Sequence, residues 1–362
     1  MSAPGTPLPA WSWIVPLVAV VLIAVGGLMP DGAGLVALGA PALIAAVIAA
    51  VHHAEVVAHK VGEPFGTLVL AVAVTVIEVA LIVSMMLAGG DEAAALPRDT
   101  IFAAIMIICN GVVGICLLVG ALRHREQTFR LEGVNAALAA LIALAGLTLV
   151  LPAFTTSSPG PTYTRAQLGF AAVAALTLWA AFVFVQTVRH RDYFLPLQDA
   201  ANEDLHAPPP SARAAWISFG LLLVALVAVI GLAKLLSPAI ERAVAAAGAP
   251  NAVIGIAIAM LVLLPETWAA VRAARADRLQ TSLNLAFGSA MASIGLTIPT
   301  VAVASVVLGL RLDLGLDAKD LVLLVLTFLV GTVVTSTGRT NMMQGAVHLV
   351  LFAAFLFLAF AP

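Results

Sequence analysis

Glu78 stands near the middle of the apolar run Val74-Thr75-Val76-Ile77-Glu78-Val79-Ala80-Leu81-Ile82, and no Lys, Arg or His accompanies it between residues 66 and 88. A charged side chain at that depth in an apolar helix costs at least about 2.5–3.5 kcal/mol, and such residues mark ion or proton pathways. The bland alternative is a protonated Glu bonded to a neighbouring helix. Glu266 is its counterpart, in Leu263-Leu264-Pro265-Glu266-Thr267-Trp268. Pro265 has no amide hydrogen for an i→i−4 bond. The sequence therefore predicts a helix interruption, with the carbonyls near Leu261 and Val262 released beside a carboxylate. Carboxylate and carbonyl oxygens together suit a hard cation such as Ca²⁺ or Na⁺. The alternative for Glu266 is simple solvation beside a kink near the membrane surface.

Polar neighbours follow each glutamate. Asn110 lies in Ile107-Ile108-Cys109-Asn110-Gly111-Val112, and Asn284, Ser289, Ser293 and Thr297 lie in the run 280–309. Ser289, Ser293 and Thr297 recur every four residues and so share one helix face. With Thr75, one turn before Glu78, these are the candidate cation ligands. Close helix packing through Gly288, Ala290, Ala292 and Gly295 is the competing explanation for the serines. A further stripe, His52, Glu55 and His59, sits in His52-His53-Ala54-Glu55-Val56-Val57-Ala58-His59. It lacks the H-E-x-x-H spacing of a zinc protease, so proton entry or gating is its better functional reading. A solvated polar stripe is the plain one. Cys109 and Cys116 have neither C-x-x-C spacing nor a nearby His and read as packing residues.

The elements that must position these groups are membrane helices. The chain has 362 residues, 62% hydrophobic and 10% charged, with a mean hydropathy of +1.11. Soluble domains carry roughly 25% charged residues, so soluble enzymes and disordered scaffolds are excluded. A formal charge of −2 offers no basic field for nucleic acid. The apolar residues fall into eleven blocks, at about 11–29, 35–58, 66–88, 100–122, 134–152, 166–188, 214–236, 251–271, 280–309, 319–336 and 342–360. Each is close to the ~20 residues a helix needs to cross about 30 Å of hydrocarbon. The block at 280–309 exceeds one straight crossing and contains Pro299, which predicts a tilted or broken helix. The expected fold is thus an all-α polytopic membrane protein.

A polar stretch from Arg189 to Arg213, with Gln198, Asp199, Asn202, Glu203, Asp204 and Pro208 to Pro210, reads as a cytoplasmic linker. It divides an extra first helix (1–34) and five spans (35–188) from five further spans (214–362). Glu78 and Glu266 are 188 residues apart, each following a glycine-led run that begins at Gly66 or Gly255. Their spans are five crossings apart and so run in opposite directions, the pattern of an inverted-topology repeat. With the N-terminus inside, 11 of the 17 Lys and Arg residues fall on cytoplasmic segments and 6 on the opposite side. That bias favours a cytoplasmic N-terminus and a C-terminus on the other face. The stretch from Met1 to Ala10 carries no Lys or Arg and no cleavage site follows, so the first apolar block is expected to be retained.

Several stretches resemble the Ca²⁺/H⁺ antiporter (CAX) branch of the Ca²⁺:cation antiporter superfamily, in particular its ChaA-type bacterial sodium/calcium–proton members. They are His52 to His59, Gly62-Glu63-Pro64-Phe65-Gly66-Thr67, Val74 to Ile82, Leu264-Pro265-Glu266, and above all Arg278 to Ser289 continuing through Ala292 to Pro299. Together they touch both halves and about a third of the chain. The resemblance implies two inverted five-helix repeats plus one extra helix. It makes Glu78 and Glu266 the paired acids and Glu55 the acid preceding the first. The wider superfamily usually has Gly-Asn shortly before each repeat glutamate, whereas Val74-Thr75 and Leu263-Leu264 stand here. That departure leaves Na⁺ and K⁺ open beside Ca²⁺.

The expected function is a secondary antiporter of the inner membrane that exports Ca²⁺, or Na⁺ or K⁺, in exchange for H⁺. Paired carboxylates in an apolar site favour protons, and a cation reverses the preference, so the two compete. No cofactor is expected, and the partners are inorganic cations, protons and the lipid bilayer. Two rivals stay open: a Na⁺-driven cation exchanger, and an intramembrane hydrolase with a metal on His52, Glu55 and His59.

Overall fold

The computed structural model describes residues 8–28, 33–62, 65–195, 210–246, 248, 250 and 252–361. Glu63, Pro64, and the linker residues Gln198, Asp199, Asn202, Glu203, Asp204, Pro208 and Pro209 lie outside them. The described chain is almost wholly helical. In order come α1 (Ala10–Leu28), α2 (Ala33–Val61), α3 (Phe65–Gly89), α4 (Leu96–Met106), α5 (Val113–His124), α6 (Leu131–Ala145), α7 (Arg165–Phe184), α8 (Ala212–Ala246), α9 (Ala252–Arg275), α10 (Leu279–Leu308), α11 (Ala318–Thr335) and α12 (Met342–Phe360). A π-helical turn, Ile107–Val112, fuses α4 and α5 into one span. Further π turns, Gly146–Val150 and Val185–Arg189, extend α6 and α7.

Among the described residues ten helices are long and apolar enough to cross a membrane, and Ala10–Gly26 is a shorter apolar helix. They coincide with the eleven blocks expected from the sequence. Their outward faces are apolar: Val227, Val303, Val307, Leu329, Val333 and Phe357 are all exposed. Thr75, Glu78, Asn110, Ser293, Thr297, Thr327 and His348 are buried. A protein with its polar groups inside and large aliphatics outside is dissolved in lipid. It is a multi-pass membrane protein.

Both prolines depart from expectation. Pro265 lies inside α9 and Pro299 inside α10, and each helix runs on without a break. Membrane helices tolerate an internal proline because it removes a single i→i−4 bond, to Leu261 for Pro265 and to Gly295 for Pro299, while the turns on either side keep theirs.

The helices gather into two compact units, one from Met1–Ala93 with His206–Ala249 and the other from Ala94–Leu205 with Pro250–Pro362. This grouping is by contact and cuts across the five-plus-five division, which concerns correspondence between helices. In the first unit α2 packs along α8, α1 and α3. His53, wholly buried, ties α2 to the start of α1 through Nε2 and the Ser12 carbonyl, 2.8 Å apart.

In the second unit the loops sort into two ends. At one, Gln127–Thr128 (β1) pairs antiparallel with Arg339–Thr340 (β2). Gln127 also donates to the Ala274 carbonyl at 3.0 Å, and Arg130 to the Leu195 carbonyl at 3.2 Å. At the other, the Asp313 amide donates to the Ala94 carbonyl and the Gly315 amide to Pro161. The loops at 125–130, 189–195, 275–278 and 336–341 are the ones the charge bias assigns to the cytoplasm. Within this unit, then, the crossings alternate as the sequence requires.

Candidate cation site

In the second unit Glu266 and Ser289 line one small cavity, with Thr267, Ile108, Val112, Leu263 and Ala286. The room for the centre of a water-sized sphere is about 10 Å³, about enough for a single water or a bare ion. The polar side chains among its lining residues are one carboxylate and two hydroxyls, and the surface the cavity exposes is apolar. Oxygen donors of that kind select hard cations over thiophilic metals. Three elements build it. The π turn brings Ile108 and Val112, α9 brings Leu263 to Thr267, and α10 brings Ala286 and Ser289. Helix α9 is seated by Gly255, where a Cβ atom would lie only 2.9 Å from the Thr100 amide nitrogen of α4. That close approach is why a glycine stands there.

The other residues expected on α10 divide. Ser293 and Thr297 continue the stripe below Ser289 and are buried. Thr297 Oγ1 has no hydrogen-bond partner among the described residues. Asn284 is placed elsewhere: its Nδ2 donates to the Phe194 carbonyl at 2.6 Å and its Oδ1 accepts from Gln280 at 2.9 Å. It straps the chain beyond α7 to the start of α10. Asn110 is also outside the cavity lining. Its amide bridges Thr327 of α11 at 2.8 Å and His348 of α12 at 3.1 Å.

In the first unit Glu78 is 4% exposed on α3, the only ionisable side chain in Phe65–Gly89. Thr75, one turn earlier and also buried, donates to the Ala71 carbonyl at 2.9 Å, which leaves its oxygen free to accept or ligate. On α2 the ring of His52 packs on Trp11 with centroids 5.0 Å apart, whereas Glu55 and His59 are exposed. Among the described residues no three His, Cys, Asp or Glu side chains converge as a metal centre needs.

The family profile described as sodium/calcium exchanger protein matches residues 31–188 and 217–361, nearly all of the chain outside the linker and the first helix. The chain belongs to that family. Members similar to it include the inferred ionic transporter y4hA of Sinorhizobium fredii, 49% identical over 98% of this chain and 97% of its own. The sodium-potassium/proton antiporter ChaA of Escherichia coli is 35% identical over 97% of this chain and 96% of its own. Among solved structures, that of native YfkE, a Ca²⁺/H⁺ antiporter protein, superposes with a TM-score of 0.72 at 18% identity, covering 97% of this chain and 100% of its own. That likeness establishes the exchanger fold.

Three polar residues of this exchanger-family chain escaped the sequence reading. Thr267 directly follows Glu266 and was visible there. His348, a single imidazole in the apolar run Gly345–Phe360, was a readable signal, whereas Thr327 shares α11 with Thr332 and Thr335 and does not stand out.

Proposed function

We propose that the protein is a proton-coupled cation antiporter of the cytoplasmic membrane, exporting Ca²⁺, with Na⁺ and K⁺ as the other candidate cargoes. The observation that carries the reading is Glu266 beside a cavity the size of one water, with Thr267 and Ser289 as its other polar lining residues. Glu266 is half-buried, and a partly desolvated carboxylate gains from holding either a proton or a cation. The two compete, and competition with alternating access to the two sides is exchange. Glu78, buried on α3, has the same chemistry in the first unit. Ser289 and Thr267 supply neutral oxygens that replace part of a cation's water shell. The names borne by the relatives, sodium/calcium exchanger and sodium-potassium/proton antiporter, support both the cargo class and the coupling. The N-terminus is assigned to the cytoplasm and the C-terminus to the opposite face, on the Lys and Arg bias. The two five-helix repeats, 35–188 and 214–362, remain part of this reading, with Glu78 and Glu266 as corresponding residues.

A pH difference of one unit supplies about 1.4 kcal/mol per proton, enough for about a tenfold gradient of a monovalent cation exchanged one for one. Everted vesicles containing the protein are given an acidic interior, and Ca²⁺, Na⁺ and K⁺ are then added in separate runs. At least one cation is expected to dissipate the gradient, and the ranking of half-saturating concentrations gives the cargo. Persistence of the gradient with all three contradicts the reading. Cation flux that requires a Na⁺ gradient and ignores pH establishes Na⁺-driven exchange instead.

A further inference from the structure

Asn110 lies in the π turn Ile107–Val112, wholly buried. Its neighbours orient it. Thr327 Oγ1 has two acceptors, the Leu323 carbonyl at 2.7 Å and Met106 Sδ at 3.4 Å; either takes its single hydroxyl hydrogen, so its oxygen is left to accept. Asn110 therefore turns its Nδ2 to Thr327, at 2.8 Å, and its Oδ1 to His348, 3.1 Å from Nδ1. An amide oxygen only accepts, so Nδ1 of His348 carries the proton. Flipping the amide would sacrifice the Thr327 hydroxyl's bond to Leu323 or Met106. Helix α12 reaches this depth because two glycines admit it. A Cβ atom at Gly345 would lie 2.6 Å from the Leu118 amide nitrogen, and one at Gly114 would lie 3.1 Å from the His348 Cβ.

The same π turn walls the cation cavity. Ile108 and Val112, the residues two before and two after Asn110, line it together with Glu266 and Ser289. A π turn carries one residue more than an α turn, and such turns persist where surrounding contacts hold them. Here the holding contact is an amide clamped at both ends, by α11 and by α12. In a cavity that admits one water, a small shift of two of its walls changes which ion fits.

We propose that His348, acting through Asn110, is a positioning residue for the cation site: its Nδ1 hydrogen locks the π turn that sets Ile108 and Val112 against Glu266. This rests on the reading of that cavity as the cation site. His348 touches neither cation nor carboxylate in this account, and its effect is on cation affinity.

The test measures gradient dissipation in vesicles against concentration of Ca²⁺, Na⁺ or K⁺, whichever the unmodified protein uses, at matched amounts of membrane protein. His348→Leu leaves Asn110 Oδ1 without its donor and is expected to raise the half-saturating concentration about tenfold, with the maximal rate within about twofold. His348→Asn places an amide N–H where Nδ1 stood and is expected to restore affinity to within about threefold of the wild type. His348→Gln, whose amide reaches the Nε2 position instead, does not restore it. Thr327→Val releases the other end of the clamp, and combined with His348→Leu it adds little, since both break one lock. If His348→Leu fails to reach the membrane, the Asn and Gln variants carry the comparison alone. Equal affinities for the Asn and Gln variants, or an unchanged affinity in His348→Leu, overturn the proposal. Glu266→Gln run alongside separates the two readings. If that variant is inactive and the His348 series is flat, only the positioning role fails. If it transports normally, the cation-site reading fails and takes the positioning role with it.

Discussion

Glu266→Gln is expected to lower proton-coupled cation flux roughly a hundredfold or more, the equivalent of about 3 kcal/mol for deleting one member of a desolvated charge pair. Gln matches Glu in volume and still fills the space beside Ser289 and Thr267. It loses both states on which exchange depends: it binds no proton near neutral pH, and it brings no negative charge to a cation. Folding is not the weak point. A neutral side chain inserts into hydrocarbon more readily than a carboxylate, whose cost is about 2.5–3.5 kcal/mol at a helix centre. Dissipation of an imposed pH gradient, measured at equal quantities of inserted protein, checks this directly. Flux within a few-fold of the unmodified protein removes Glu266 from the site.

Replacement of Glu78 is expected to have an effect of the same order, read in the same vesicles. The residue is 4% exposed at mid-helix, the one ionisable side chain in Phe65–Gly89. Keeping a carboxylate there is costly, and a structural hydrogen bond alone is served equally well by Gln. Glu78→Gln is therefore expected to abolish exchange, whereas Glu78→Asp keeps the charge and withdraws it by one methylene. The Asp variant is expected to retain transport with a half-saturating cation concentration raised about tenfold, about 1.4 kcal/mol. A purely structural Glu78 gives the opposite order, with Gln tolerated and Asp, which leaves a gap, the poorer replacement.

Much of the architecture was legible in composition alone. Runs of about 20 apolar residues have one stable solution in a bilayer, so all eleven expected spans reappear as helices close to their predicted limits. The prolines misled because the isolated-helix rule ignores neighbours. Pro265 and Pro299 each sit in an unbroken helix, where each removes one backbone bond and the adjoining turns hold. The asparagines misled for a related reason. An amide in an apolar run reads as an ion ligand, yet Asn284 is committed to the Phe194 carbonyl. Asn110 is committed to partners 217 and 238 residues further along the chain. No local pattern encodes partners at that separation, and π turns have no residue signature that would flag Ile107–Val112. Glu266 and Ser289, both among the expected site residues, line one cavity and are each half-buried.

If proton and cation occupy the same carboxylate in turn, binding of one must expel the other. Purified protein in weakly buffered detergent solution, titrated with Ca²⁺, Na⁺ or K⁺ while the pH of the medium is followed, tests it without any gradient or membrane. Cation binding is expected to release protons in proportion to the cation bound, with the release reduced in Glu266→Gln and abolished when Glu78 is replaced as well. Cation binding with no proton release, or release undiminished in the doubly substituted protein, would contradict the account.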